Sequence, residues 1–252
     1  MNNVSAVFSL GLLLVRPGMV VIGTPFLGAL NAPPHARVGL IVLLAIVLAP
    51  FVTVPAALNV GSILLVVAHE AFVGLALALA IRVLTTAAEF AGHLSGYQIG
   101  LSLGSLIDPQ SGVRNNVLAL LYGNLTVVIC LMTNAHHALL RALADSYAAL
   151  PIAAGSVDPS LAQAVSRILG AVFVLGARIA APVVVVLLLV ELALALLARV
   201  APSLNVMIAG APVRLIAGFL VIAATLTALP GLINRYLPTV LDLAGMAARA
   251  FR

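Results

Sequence analysis

Residues 168–198 read ILGAVFVLGARIAAPVVVVLLLVELALALLA, and this stretch decides which kind of fold the chain adopts. A run of about 20 apolar residues is enough for a helix to cross the hydrocarbon core of a bilayer. The stretch is longer than that, and its only charged residues are Arg178 and Glu191. It therefore predicts a long apolar helix in contact with lipid, with other protein, or with both.

Five further stretches have the same apolar character, and turn-forming residues separate them. The six segments cover residues 4–22, 38–58, 63–88, 117–140, 168–198 and 213–233. Clusters of proline, glycine and aspartate between them, such as residues 108–112, end helices. Proline inside a helix removes a backbone hydrogen bond, so Pro17 is expected to interrupt the first segment. Further breaks are expected at Pro25, Pro50 and Pro202.

These segments predict an all-α, membrane-associated protein with about six long apolar helical segments and proline or glycine breaks. No internal repeat and no low-complexity tract divides the chain, so residues 1–252 are expected to form a single domain. Arginines lie near both sets of alternating connections in similar numbers. The positive-inside rule therefore leaves the orientation open, which is unusual for a simple membrane protein of six helices.

The composition of the whole chain excludes several classes of protein. Its 252 residues are 63% hydrophobic and 8% charged, whereas a soluble domain is about one quarter charged. A water-soluble monomer is excluded, and so is a disordered chain, because disordered chains are polar. Cys130 is the sole cysteine, so the chain is not a disulfide scaffold. The net charge of +5 is spread singly along the chain, unlike the basic runs of nucleic-acid-binding proteins.

Several charges lie inside or beside the apolar segments, where contact with lipid is costly. They are Glu70, Arg82, Glu89, Arg178 and Glu191. Each costs about 2.5–3.5 kcal/mol at the centre of a membrane helix, so we expect them to face partners or water. Arg167, Arg178 and Arg199 fall within roughly 60° of one another on a helix. They form either a basic stripe along a polar path or subunit seam, or two flanking arginines that snorkel around one internal arginine.

Residues 89–116 carry glycine at every fourth position. Gly92, Gly96, Gly100 and Gly104 lie on one face of a helix, with a drift of about 40° per step. Small residues at this spacing allow another backbone to approach closely, so the segment is expected to pack tightly within an assembly. The alternative is a flexible re-entrant or interfacial loop, because glycine weakens a helix.

The sequence predicts no catalytic, cofactor or metal site. His69-Glu70 begins an HExxH pattern, but Val73 occupies the position of the second histidine. His136 and His137 are adjacent and point about 100° apart on a helix, so they do not easily share one metal ion. We therefore expect a protein that is not an enzyme and binds no cofactor.

Blocks of sequence in a fixed order resemble the FliR family of flagellar type III export-gate proteins, which is related to the SctT family of virulence secretion systems. The blocks are Arg16-Pro17, Pro25-Phe26-Leu27-Gly28, Gly96-Tyr97-Gln98, Gly100-Leu101-Ser102, Asp108-Pro109, Asp145-Ser146-Tyr147 and the run from Leu196 to Val206. The resemblance covers residues 10–240, which is nearly the whole chain.

The chain departs from this family pattern at a few positions. The family commonly has Asn-Gly-His where this chain has Asn134-Ala135-His136. A polar amide is usual near Glu191, and an apolar residue near Arg214. The virulence relatives carry an Asp-x-Gln-Arg type of pattern where this chain has Gly96-Tyr97-Gln98-Ile99, which favours the flagellar branch.

The resemblance implies a subunit of bent helical hairpins that helps to line the export channel for unfolded protein substrates. It implies FliP-like, FliQ-like and FlhB-like partners, and a multi-pass location in the bacterial inner membrane, within the flagellar basal body. Nucleic acid is not an expected partner. The candidate pore or partner-contact residues are Gly92, Gly96, Gln98, Gly100, Gly104, Asp108, Pro109 and Arg178.

Two alternatives remain open from the sequence. One is a small-solute transporter or channel, since transporters also use broken helices and charges near the midplane. Transporters usually show two related halves, and none are evident here. The other is the equivalent subunit of a virulence type III secretion system.

Overall fold

The computed structural model describes residues 3–26, 33–52, 60–101, 116–152, 160–201 and 206–249. Their helices are α1 Asn3–Gly23, α2 Pro34–Leu48, α3 Val60–Ile99, α4 Val117–Met132, α5 Ala135–Ala149, α6 Ser160–Val200 and α7 Val206–Arg249. A 3-10 turn, Ala49–Phe51, follows α2. The described residues contain no strand, which confirms the predicted all-α fold.

Four of the described helices are long and apolar enough to cross a membrane. They are α2 with its 3-10 turn, α3, α6 and α7. Helices α4 and α5 are long and apolar enough to cross a membrane only when they are taken together, and this pair is bent by 69°. The described part of the chain thus has four candidate spans, or five if the bent pair is one span, against the predicted count of about six.

Helix α1 continues through Pro17, so the predicted interruption is wrong. Pro17 has no N–H to donate to the carbonyl of Leu13 four residues earlier. The hydroxyl of Tyr147 donates to that carbonyl instead, over 3.4 Å. The expected breaks at the next two prolines are confirmed: α1 ends at Gly23 before Pro25, and Pro50 lies in the 3-10 turn that ends α2. Pro202 lies outside the described residues.

The chain divides into two compact units, each assembled from separate stretches. Unit 1 comprises residues 1–83, 130–170 and 235–252, and unit 2 comprises residues 84–129 and 171–234. Helices α3, α6 and α7 each contribute long segments to both units. The single domain over residues 1–252 stays a prediction.

The core of unit 1 contains an ion pair between Arg16 of α1 and Glu70 of α3, and both side chains are 0% exposed. Arg16 Nε donates to Glu70 Oε2 over 2.9 Å, and Nη2 donates to Oε1 over 2.8 Å. Nη1 also donates to Ser146 Oγ over 2.9 Å, and Nη2 to the carbonyl of Leu150 over 3.1 Å. The ring centroid of Tyr147 lies 4.1 Å from Arg16 Cζ. One arginine thereby joins α1, α3 and α5.

The close approach of α1 to α3 depends on a glycine next to this ion pair. A Cβ atom added at Gly74 would lie 2.5 Å from the carbonyl oxygen of Arg16 and 2.8 Å from Cβ of Met19. Real side chains do not tolerate such distances, so only glycine permits this helix crossing. Charge and close packing therefore fix the same pair of helices.

We expect Glu70→Gln to lower the free energy of unfolding by about 3–5 kcal/mol, because it leaves the Arg16 guanidinium buried without a counter-charge. Thermal unfolding of the purified protein in detergent measures this. Glu191→Gln is the control, since Glu191 lies 3.6 Å from Arg214 and both side chains are more than 40% exposed. Its expected effect is about 0–1 kcal/mol. Equal effects of the two substitutions would contradict the assignment.

Candidate partner-contact site

The predicted site residues that the structure describes all lie in unit 2. Gly92, Gly96 and Gln98 belong to α3, Gly100 follows its last turn, and Arg178 lies in α6. Gly104, Asp108 and Pro109 lie outside the described residues.

Gly92 and Gly96 face the start of α4 in this same chain. A Cβ atom added at Gly92 would lie 2.5 Å from Cα of Ala119. One added at Gly96 would overlap the side-chain amide of Asn116. That amide accepts a hydrogen bond from the N–H of Leu118 over 3.0 Å. The predicted close approach of a second backbone is thus confirmed for Gly92, where the backbone is the chain's own, whereas Gly96 makes room for a side chain.

Gly100 ends α3 instead of continuing its glycine face. Its φ of 91° is a left-handed conformation that glycine adopts readily. The N–H of Gly100 donates to the carbonyl of Tyr97 over 3.1 Å, and the N–H of Leu101 donates to that of Gly96 over 3.0 Å. These two bonds form a Schellman motif, which satisfies the last helical carbonyls. The prediction of one helical face through Gly100 is therefore wrong, because the helix stops at Ile99.

Gln98 lines an open groove between the end of α3 and the middle of α6. The groove has a volume of about 590 Å³, and its lining is Leu94, Tyr97, Gln98, Ala177, Ala180, Ala181, Val184 and Val185. Ala177 and Ala181 are exposed and lie one helical turn apart, and Tyr97 is 65% exposed. Small residues at such spacing admit another helix. Neither alanine is among the residues predicted for the site, although two alanines one helical turn apart before Pro182 are a signal that the sequence carries.

Three charges of the apolar segments find partners within the chain. Glu70 pairs with Arg16, as described above, and Glu191 pairs with Arg214 in unit 2. Arg82 Nε donates to the carbonyl of Gly23 over 3.1 Å, at the C-terminal end of α1, where a cation is favourable. The expectation that these residues face partners is confirmed for these three.

The remaining charged residues of this set are exposed. Glu89 lies beside Gly123, where an added Cβ would be 2.8 Å from its Cγ. Arg167, Arg178 and Arg199 are all exposed on α6. Their exposure fits either of the two interpretations given above, the basic stripe or the snorkelling flanks, and so the choice between them stays open.

Residues 100–104 spell Gly-Leu-Ser-Leu-Gly, so the chain does contain the letters of the G-x-S-x-G nucleophile elbow, contrary to the expectation that it has none. That elbow needs a strand before the serine, and here helix α3 precedes it. Among the described residues, no group of three or more His, Cys, Asp or Glu side chains could hold a metal ion. The candidate site in the described part of the chain is a contact surface, the groove beside Gln98.

The long apolar helices of the described residues, with a buried ion pair between two of them, define an all-helical, membrane-associated protein. The sequence matches the bacterial export proteins, family 1, over residues 7–240, and the chain belongs to that family. This confirms the resemblance found in the sequence.

Individual relatives carry flagellar and secretion names. The chain is 31% identical over 212 residues to the flagellar biosynthetic protein FliR of Pectobacterium carotovorum subsp. carotovorum, covering 83% of this chain and 80% of the relative. It is 29% identical over 227 residues to FliR of Bacillus subtilis (strain 168), covering 88% of each. It is 28% identical over 155 residues to the Yop proteins translocation protein T of Yersinia pestis, covering 61% and 59%.

We expect Gly92→Ala to lower the free energy of unfolding by about 1–3 kcal/mol, because the added methyl group overlaps the backbone of α4. Gly170→Ala in α6 is the matched control, since an added Cβ there meets nothing within 4 Å. It is expected to stabilise the helix by up to about 1 kcal/mol. Thermal unfolding in detergent distinguishes the two. A neutral Gly92→Ala would show that α3 and α4 are less closely packed than described.

Proposed function

We propose that this chain is a structural, pore-lining subunit of the flagellar type III export gate and has no enzymatic activity. Its place would be the bacterial inner membrane, within the flagellar basal body. Membership of the bacterial export family over residues 7–240 carries the proposal. The FliR relatives favour the flagellar branch, because the match covers 80% and 88% of their chains, against 59% for the Yersinia protein.

The exposed surface of α6 supports a role inside a larger assembly. Leu188, Leu189, Leu192 and Leu196 are each more than half exposed. Large apolar surfaces of this kind mark contacts with protein or with lipid. The groove beside Gln98 adds a concave surface on which a helix of another subunit can pack.

The proposed partners are FliP-like, FliQ-like and FlhB-like gate proteins, with unfolded export substrates in transit. We assign the partner contact of unit 2 to the groove residues, with Arg178 beside Ala177. Gly104, Asp108 and Pro109 follow α3 in the chain and keep the pore-proximal role that the resemblance implies. The substitution Gly96→Leu is a poor test of partner contact, because it would first disturb Asn116 of the same chain.

We expect Ala181→Leu to reduce the partner proteins that co-purify with this chain at least tenfold and to abolish swimming. The leucine would fill the groove while leaving the subunit folded, because Ala181 is exposed. Ala144→Leu is the control, since Ala144 is also exposed, on α5, and lies neither in the groove nor on the exposed leucine surface of α6. Quantitative mass spectrometry of the purified complex and motility in soft agar measure both effects.

Two results would count against the proposal. Ala181→Leu with normal partner recovery would remove the groove as a contact surface. A wild-type chain that purifies as a stable monomer, without partners at fixed stoichiometry, would remove the gate assignment and favour the small-solute transporter.

A further inference from the structure

Unit 1 contains a cavity of about 340 Å³ lined by residues of α3, α5 and α7. We call it the aspartate cavity, after Asp145 of α5 and Asp242 of α7. Its buried lining is mainly apolar and includes Leu77 and Leu150, which are 3% and 1% exposed, with Ser146 as a buried polar residue. Its exposed lining carries the two aspartates and Arg249. The volume is at the lower end of the range for ligand sites, about 300–1,000 Å³.

The two aspartates share the lining of the cavity with one residue of opposite charge, Arg249. Neither of them forms a salt bridge with another described residue, and Arg249 does not either. Two carboxylates against one guanidinium leave the lining with a formal charge of −1. The cavity is thus negative at its exposed side and apolar at its buried side.

This lining selects one kind of occupant. An anion would be repelled, and a wholly apolar segment would cover the carboxylates without pairing them, which is costly. Among the described residues, no cluster of three or more His, Cys, Asp or Glu side chains could hold a metal ion. A long basic side chain satisfies both parts of the lining, because its aliphatic stem packs on apolar surface while its charged end stays with the carboxylates.

We propose that the aspartate cavity receives an arginine or lysine side chain of a neighbouring protein in the export apparatus. The inference rests on the proposed function, because the neighbouring protein is a member of the proposed export gate. The wall of the cavity is held firmly: Ser146 and Leu150 line it and also bind the buried Arg16. At Gly245, an added Cβ meets nothing within 4 Å, so the opposite wall leaves room for an incoming chain.

The first test is the double variant Asp145→Asn with Asp242→Asn, which removes both charges and keeps the side-chain shapes. We expect at least a tenfold loss of co-purified partner and a loss of swimming, with an unchanged unfolding temperature, because both side chains are exposed and form no salt bridge with another described residue. Glu191→Gln is the control and should retain both partner and motility. A double variant that assembles and swims like the wild type overturns the proposal.

The second test keeps the fold intact and reads the contact directly. The photo-reactive residue p-benzoylphenylalanine replaces Gly245 in the assembled complex in cells. We expect a cross-link to a peptide of another apparatus protein that contains arginine or lysine, and we expect the double asparagine variant to lose it. Cross-links to lipid alone, or cross-links that persist in the double variant, overturn the proposal.

The two proposals fail in different ways. If Ala181→Leu loses the partners while the double asparagine variant keeps them, the export-gate function stands and the aspartate cavity has no partner. If the wild-type chain has no partners at all, the proposed function fails first.

Discussion

The ion pair between Arg16 and Glu70 is the constraint on which unit 1 depends. Two charges that are fully removed from water require each other, because either one alone would carry a desolvation penalty of several kcal/mol. The planar guanidinium meets this requirement with two bonds to the carboxylate and further bonds to Ser146 and Leu150. The geometry of one side chain therefore links α1, α3 and α5 in the core of unit 1.

The same cluster explains why α1 tolerates a proline next to its arginine. Pro17 frees the carbonyl of Leu13, and Tyr147, whose ring covers Arg16, donates its hydroxyl to that carbonyl. Gly74 of α3 lets the backbone of α1 approach α3 closely beside the pair of Arg16 and Glu70. An apparent helix breaker becomes part of a packed crossing because α5 supplies the missing donor.

Sequence reasoning located the important residues better than it located their partners. It identified Glu70 and Glu191 as charges that cannot face lipid, and it found the tight spacing of Gly92 and Gly96. It could not pair Arg16 with Glu70, which is 54 positions away, because helical periodicity carries no information about tertiary contacts. It also treated Gly100 as one more step of a helical face, since a positive φ leaves no mark in the sequence beyond glycine itself.

Glu191 and Arg214 show how departures from a family pattern can be understood together. Each is unusual by the FliR pattern, and in the structure their charged groups lie 3.6 Å apart. A charge introduced on one apolar helix is less costly when its opposite appears on the helix packed against it. Among the described residues, none forms a salt bridge with the aspartates of unit 1. In the proposal above, a basic side chain of a neighbouring protein pairs with these aspartates, and the large exposed apolar surface of the chain supports such a neighbour, because surfaces of this kind mark contacts with protein or lipid.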